Sequence, residues 1–173
     1  MTRILSLLRH AKSSWDDPRL PDAKRGLSER GRKAAPLMGR YIADEGLMPD
    51  LVLSSSSVRT RQTCELVFPE GRHRPPIHFE DAIYLASLQT LLALIQGTAV
   101  GVRHLMIVGH NPGLQRLALA LIGSGPSRAK AALAEKFPTA ALAVLELGGD
   151  DWQATAPGKA RLLRFVTPRS LAD

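Results

Sequence analysis

Hydrophobic positions along the chain fall into short runs that are separated by longer mixed segments. The first three runs contain almost no polar residue, a pattern typical of strands that are covered on both faces, as in a parallel sheet. We therefore predict strands at residues 4–8, 51–53, 105–108, 142–145 and 162–166, with a weaker strand at 77–79.

Between these runs the hydrophobic residues recur every three or four positions, which is the period of an amphipathic helix. Leu114 and Leu121, for example, share one face of the stretch 113–122. The other helical stretches are 34–47 and 87–95. Because strands alternate with helices, we predict an α/β fold of three layers (α/β/α), in which a mostly parallel open sheet lies between two layers of helices.

The chain length predicts a single domain over residues 1–173, with 45% hydrophobic residues to fill its core and a loose tail from about residue 168. Ser28 is a candidate cap for the first helix. Pro36 then falls inside that helix, where proline removes a hydrogen bond and clashes with the preceding turn. We therefore expect the helix either to begin late or to kink at Pro36.

One connection between the predicted elements is unusually long. Residues 11–27 follow the first strand without a helical period, and long loops of this kind usually serve a function. Ligands of open α/β sheets bind outside the carboxyl ends of the strands. Arg9 and His10 stand at such an end, directly before the loop.

Two further strand ends carry side chains of the same types. Arg59 follows the second run and His110 follows the third, so parallel strands would gather them with Arg9 and His10 at one edge of the sheet. A phosphoryl group matches such a cluster, because its oxygens accept paired hydrogen bonds from arginine. A neutral imidazole attacks phosphorus, and a second one stabilises the transferred charge. Each of these residues alone is also explained as a structural or solvated side chain.

The formal net charge of +7 is compatible with anionic partners in general. We expect no nucleic-acid binding, because there is no run of five Lys or Arg residues and no basic stripe interleaved with aromatics. We expect no membrane association, because no apolar segment approaches the ~18 residues of a span.

Cys64 is the one cysteine, which excludes an internal disulfide. We expect it to be a buried structural thiol in a cytoplasmic protein.

Three motifs, taken together, resemble a known family. L-L-R-H-A-K-S follows the first strand, S-S-S-S-V-R-T-R-Q-T the second and V-G-H-N-P-G the third. In this order they resemble the histidine phosphatase superfamily, although Ala11 stands where the family usually has glycine. R-H-A-K-S, D-A-K-R-G-L-S-E-R-G and K-F-P-T are similar to its small SixA-type phosphohistidine phosphatases. The resemblance implies a phosphoglycerate mutase-like fold and a hydrolase of the EC 3.1.3 type without a cofactor or metal.

The resemblance also implies catalytic roles for four residues. His10 matches the nucleophile that becomes phosphohistidine, and Arg9 and Arg59 match the phosphate-binding arginines. His110 matches the histidine that binds phosphoryl oxygens and stabilises the transition state. The R-x-x-Q-T spacing selects Arg59 rather than Arg61. Loop residues that would help to bind substrate, with a solvated loop as an equal alternative, are Lys12, Ser13 and Arg25.

Glu80 and Asp81 are the candidate proton donors, because larger relatives carry an acid between the second and third motifs. The glycine-rich context of that acid is missing here. A phosphate ester needs such an acid because the leaving alkoxide must be protonated, whereas imidazole leaves phosphohistidine as a neutral base. The chain is also too short for the cap insertions that enclose small substrates in larger relatives.

The sequence therefore predicts a metal-independent phosphatase that forms a covalent phosphohistidine and acts on a phosphorylated substrate, with phosphohistidine on a protein favoured. The first alternative is a phosphomonoesterase or mutase of the same superfamily that acts on a small metabolite. The second alternative is a non-catalytic module that binds phosphate or nucleic acid. The oligomeric state is not indicated by the sequence.

Overall fold

The computed structural model describes residues 2–172, and a seven-stranded sheet lies at the centre of this part of the chain. Its strands are β1 (Arg3–Arg9), β2 (Leu51–Ser55), β3 (Ile77–Glu80), β4 (His104–Gly109), β5 (Ile122–Ser124), β6 (Leu142–Leu147) and β7 (Ala160–Val166). The strand order is β3-β2-β4-β1-β6-β7-β5. Every strand except β6 runs parallel to β1, so the prediction of a mostly parallel open sheet is confirmed.

Helices connect most of the strands. They are α1 (Glu29–Asp44), α2 (Val58–Val67), α3 (Leu88–Gln96), α4 (Gly113–Leu121), α5 (Ser127–Glu135) and α6 (Pro168–Leu171). Short 3-10 turns cover Asp22–Lys24, Asp81–Ile83 and Trp152–Ala154. Among residues 2–172, no helix combines the length and the apolar character that crossing a membrane requires.

The helices cover both faces of the sheet, as the nearly continuous hydrophobic runs predict. In β1, Leu5 and Leu7 belong to the core cluster beneath α3 and α4, whereas Leu8 belongs to the cluster beneath α1 and α2. β4 alternates in the same way, with Ile107 in the first cluster and Val108 in the second. Successive residues of a strand point to opposite faces, so a run without polar residues requires apolar cover on both sides.

Helix α1 begins directly after its predicted cap. The Oγ of Ser28 accepts a hydrogen bond from the backbone N–H of Gly31, so the expectation of a late start is wrong and Pro36 lies within the helix. The same turn packs against the loop after β1. A Cβ at Gly31 would lie 2.2 Å from the carbonyl oxygen of Lys12, so glycine allows α1 to approach the chain beside His10.

Three segments differ from the sequence prediction. α4 ends at Leu121, and residue 122 begins a strand. α5 was not predicted, because Leu133 is its single buried residue and one position makes no visible period. Residues from 168 form α6 rather than a loose tail, since Thr167 caps the helix and Leu171 packs against the core cluster beneath α1. Residue 173 lies outside the described residues.

Candidate active site

Three neighbouring parallel strands bring the predicted site residues to one edge of the sheet. β1, β4 and β2 end at Arg9, Gly109 and Ser55, respectively. His10 and His110 follow directly, and the backbone N–H of His10 donates to the carbonyl oxygen of Gly109 at 3.1 Å. The centroids of the two imidazole rings are 5.3 Å apart. Strand register therefore places the two histidines next to each other.

A cavity of about 220 Å³ opens at this edge, and we call it the His10 pocket. Arg9, His10, Arg59 and His110 all line it, so the structure brings together the four residues for which the resemblance implies catalytic roles. Arg59 reaches the pocket from the first turn of α2, a turn that Ser57 caps through its side chain.

His10 is held as a neutral imidazole. The residue is 6% exposed, and its Nδ1 lies 2.7 Å from the carbonyl oxygen of Ala11. A carbonyl only accepts hydrogen bonds, so Nδ1 carries the proton and Nε2 keeps its lone pair. Burial, reinforced by the nearby His110 and arginines, lowers the pKa of His10 to about 3. The ring is therefore neutral at physiological pH, with Nε2 available for attack.

His110 has the opposite tautomer. Its Nδ1 lies 3.3 Å from an Nη2 of Arg59, which can only donate, so Nδ1 accepts. Nε2 then carries the proton and donates to the Oγ of Ser55 at 2.8 Å. Burial, and next the charge of Arg59, lowers the pKa of His110 to about 4. The ring orientation of His110 is therefore set by two partners, one of them the last residue of β2.

Asp22, from the 3-10 turn in the long loop, holds Arg59 in place. Arg59 donates from Nη1 to the carbonyl oxygen of Asp22 at 2.9 Å and from Nη2 to its Oδ2 at 3.0 Å. Arg25 and the hydroxyl of Tyr84 donate to the same carboxylate. The hydrogen bond from Tyr84, followed by those from Arg59 and Arg25, lowers the pKa of Asp22 to about 2. Asp22 is thus an ionised anchor rather than a proton donor.

Two buried arginine donors at the pocket lack a partner. The Nε atoms of Arg9 and Arg59 are buried, and neither has a hydrogen-bond acceptor within residues 2–172. Arg9 is otherwise held by a bond from its Nη1 to the carbonyl oxygen of Phe137 at 2.9 Å. Buried donors without partners are rare because each costs free energy. An oxyanion in the His10 pocket is the kind of ligand that these donors suit.

The three predicted loop residues also line the pocket. Lys12 is exposed. Arg25 is buried, and its Nη1 donates to the Oγ of Ser13 at 2.8 Å. Its guanidinium carbon lies 3.5 Å from the ring centroid of Trp15. Arg25 and Ser13 therefore form part of the pocket wall together, whereas the side chain of Lys12 lies at the solvent-exposed side of the pocket.

The candidate proton donors are placed elsewhere. Glu80 ends β3, and Asp81 accepts a hydrogen bond from the hydroxyl of Ser56. Neither carboxylate lines the His10 pocket. Arg61 also turns away, because its Nε donates to the carbonyl oxygen of Ser56 at 2.9 Å. In the described part of the chain, no three His, Cys, Asp or Glu side chains form a group that could hold a metal ion.

Several site residues were missed by the sequence reasoning. Asn111 and Thr139 line the pocket, and the motifs G-H-N-P-G and K-F-P-T already contained them. Ser55 was visible as the end of the second run. Asp22 begins the motif D-A-K-R-G-L-S-E-R-G, but its role as an anchor had no local signal, because its partner Arg59 is 37 residues away. Tyr84 was missed for the same reason, since it bonds to Asp22, which is 62 residues away. Contacts across such separations depend on the fold.

Comparison with known proteins gives consistent results. The family model of the histidine phosphatase superfamily (branch 1) matches residues 5–83. The "putative phosphohistidine phosphatase SixA" of Agrobacterium tumefaciens is 36% identical, with 96% of this chain and 98% of that one covered at a TM-score of 0.79. The protein of the same name from Nakamurella multipartitia is 25% identical, with 97% of each chain covered at a TM-score of 0.84.

A further relative is similar over nearly the full length of the chain. An uncharacterized protein of Mycobacterium tuberculosis is 35% identical over 164 residues, which are 94% of this chain and 100% of that protein. The similarities support a phosphatase with the phosphoglycerate mutase-like fold. The motifs, their convergence on one pocket and these relatives lead to the same conclusion, that the chain belongs to the histidine phosphatase superfamily.

Proposed function

We propose that the chain is a metal-independent phosphohistidine phosphatase that acts on phosphorylated proteins through a phosphohistidine on His10. One observation carries this proposal: the His10 pocket offers a neutral imidazole nucleophile, and no carboxylic acid of the described residues 2–172 lines it. The nearest carboxylate described above, Asp22, is ionised and bound to arginines. Such a pocket suits a leaving group that needs no proton.

The first step transfers the phosphoryl group between two imidazoles. The lone pair of His10 Nε2 attacks phosphorus, and the P–N bond to the substrate imidazole breaks as its electron pair returns to that ring. The substrate ring already carries a proton on its other nitrogen, so it leaves as neutral histidine. No proton moves in this step, because His10 keeps its Nδ1 proton in the bond to Ala11.

The second step hydrolyses the intermediate. A water oxygen attacks phosphorus, and the P–Nε2 bond breaks with return of the electron pair to His10. Both protons of that water remain with the product, which leaves as dihydrogen phosphate. Charge and atoms balance without a general acid, whereas an alkoxide leaving group would need one.

The arginines supply the positive charge that a metal ion supplies in other phosphatases. Arg9 lies at the end of β1 and Arg59 in the first turn of α2, and within residues 2–172 the Nε donor of each has no partner. Two guanidinium groups at one pocket repel each other, and a phosphoryl dianion relieves that repulsion. Binding of phosphate is therefore favoured by charge and by hydrogen bonding together.

His110 responds to the charge of the bound group. It is neutral in this structure because of burial and Arg59. A dianion close to the ring favours the protonated form. Protonation of Nδ1 ends the hydrogen bond that it accepts from Arg59, and Nδ1–H then becomes a donor to a phosphoryl oxygen. The bond from Nε2 to Ser55 is kept, so Ser55 continues to orient the ring.

Single-turnover trapping tests this proposal. Enzyme is mixed with a protein that carries one phosphohistidine and is quenched in alkaline denaturant, which preserves P–N bonds. We expect the label on His10 and none in a His10→Ala variant. Label on another residue would contradict the mechanism. Faster turnover of a sugar phosphate than of the phosphohistidine protein would contradict the substrate.

Replacement of the two candidate acids tests the alternative of a small-metabolite phosphomonoesterase. Because neither Glu80 nor Asp81 lines the pocket, we expect Glu80→Gln and Asp81→Asn to change kcat for phosphohistidine less than about threefold. A loss of about 100-fold on a phosphate ester in either variant would identify a working general acid and favour the alternative.

A further inference from the structure

A second cavity adjoins the His10 pocket and is lined by positive charge. It measures about 470 Å³ and shares Arg9, Lys12 and Thr139 with the pocket. Its other cations are Arg30, Lys136 and Arg169, and none of the residues within 2–172 that line it is acidic. We call this cavity the cationic groove. The shared residues place the cationic groove directly beside the His10 pocket.

The four exposed cations of the groove come from separate parts of the chain. Lys12 lies in the loop after β1, Arg30 in α1, Lys136 directly after α5 and Arg169 in α6. Only the fold assembles them. Within residues 2–172 none of the four makes an ion pair. Some cations outside the groove are paired with carboxylates, in Arg19–Asp17, Lys33–Glu29, Arg103–Asp150 and Arg164–Glu45.

Unpaired like charges gathered at one groove create a positive potential that attracts anions. We propose that the cationic groove binds an acidic protein surface next to the phosphorylated histidine of the substrate. This inference rests on the proposed function, because it concerns the substrate of the same His10 pocket. Part of the net charge of +7 would then lie in the groove and serve to bind the substrate protein.

The exposure of the groove cations favours a protein surface over a second phosphate of a small molecule. Arg9 and Arg59 show how the chain binds a single phosphoryl group, with guanidinium groups held by bonds to Phe137 and Asp22. Lys12, Arg30, Lys136 and Arg169 are exposed side chains, and within the described part of the chain they make no such bonds. Flexible exposed charges give weak, cumulative and salt-dependent attraction, which is suited to steering and docking of a large partner.

Two matched peptides isolate the contribution of the groove. Each carries one phosphohistidine, formed with phosphoramidate, and the residues that flank it are glutamates in one peptide and glutamines in the other. The enzyme variant is Arg30→Gln/Lys136→Gln/Arg169→Gln, which leaves Arg9 and Lys12 unchanged. The control variant, Arg40→Gln/Arg72→Gln/Lys159→Gln, removes three exposed charges outside the groove.

We expect wild-type enzyme at low salt to prefer the glutamate peptide by about tenfold in kcat/KM, and added salt to abolish this preference. The groove variant should lose the preference, while the control variant keeps it. The glutamine peptide should be turned over within about twofold by all three enzymes, because the phosphoryl site is intact.

The outcomes separate the two proposals. If wild-type enzyme hydrolyses both peptides equally at low salt, the groove inference is wrong while the proposed function stands. If both variants lose the preference for the glutamate peptide equally, the preference comes from the net charge of the enzyme, and this result would also overturn the inference. A groove variant that loses turnover of the glutamine peptide would mean that the groove serves the phosphoryl group itself. No hydrolysis of either peptide by wild-type enzyme, with turnover of a sugar phosphate, overturns the proposed function and the inference with it.

Discussion

The two ends of the central sheet both carry a neutral histidine that is paired with a serine, yet only one end forms a pocket with the arginines. At the amino end, His104 begins β4, and its Nε2 lies 2.7 Å from the Oγ of Ser6. Burial lowers the pKa of His104 to about 4, as it does for His110. At the carboxyl end, His110 has Ser55 as its partner. The two histidines are alike in their lowered pKa and in having a serine partner, although His110 also accepts a hydrogen bond from Arg59.

The difference between the ends lies in the charged groups nearby. His104 is close to the carboxylate of Asp50, which accepts from the backbone N–H groups of residues 103 and 104. The carboxyl end instead has two guanidinium groups with unpartnered Nε donors. The lowered pKa of both histidines therefore reflects burial, and the two guanidinium groups distinguish the end of the sheet at which we propose that phosphate binds.

Removal of the nucleophile should separate the two ends most strongly. We expect His10→Ala to lower kcat/KM for phosphohistidine by about 10³-fold or more, because no other group replaces the attacking nitrogen. His104→Ala is the matched control and should change kcat/KM by less than about threefold. Equal losses in the two variants would mean that the effect is structural, and thermal unfolding of both proteins would show it.

Replacement of the guanidinium group of Arg59 by an ammonium group should have the next largest effect. In Arg59→Lys the positive charge remains but the Nε donor and the paired contacts to Asp22 are lost. We expect a loss of about 100-fold in kcat/KM. Arg61→Lys, two residues further along α2 and outside the pocket, should stay within about twofold. A mild Arg59→Lys variant would show that charge alone is sufficient.

The two serines test whether their histidines need orientation. Ser55→Ala leaves Nε2 of His110 without its acceptor, so we expect kcat to fall about tenfold with KM little changed. Ser6→Ala removes the partner of His104 and should leave kcat unchanged, while the free energy of unfolding falls by about 1 kcal/mol. Rescue of kcat by Ser55→Thr, which restores a hydroxyl, would support a positioning role for Ser55.

The pH dependence of stability is expected to come from both ends. The folded pKa values of His10, His104 and His110 are about 3, 4 and 4, below the ordinary value of 6.5. Between these limits the unfolded chain binds more protons, so the free energy of unfolding falls as pH decreases from about 6.5 to about 4, by up to about 1.4 kcal/mol per pH unit for each group.

Urea unfolding of wild type and His104→Gln at pH 7 and pH 5 measures this slope. The variant should lose less stability than wild type over the interval, since one titrating group is gone. An identical difference between pH 7 and pH 5 in the two proteins would show that His104 titrates normally in the folded state. Activity should follow a different course, because His10 remains a neutral nucleophile down to about pH 4.

Much of the fold was predictable because it depends on local pattern. The runs that became β1, β2 and β4 contain almost no polar residue, and this pattern alone predicts that both faces are buried. α5 and α6 were not predicted, for two different reasons. α5 has one buried position, and α6 depends on a cap at Thr167 and on packing of Leu171, which no periodic signal announces.

The sequence by itself determined the chemistry at the strand ends. Arg9, His10, Arg59 and His110 each follow a run of apolar residues, and parallel pairing of those runs brings their ends to one edge, because neighbouring parallel strands align their carboxyl ends. The tautomers, the anchoring of Arg59 by Asp22 and the gathering of cations in the groove were decided only by the tertiary structure. These features depend on contacts between side chains far apart in the chain, and burial and hydrogen-bond geometry exist only once the layers have packed.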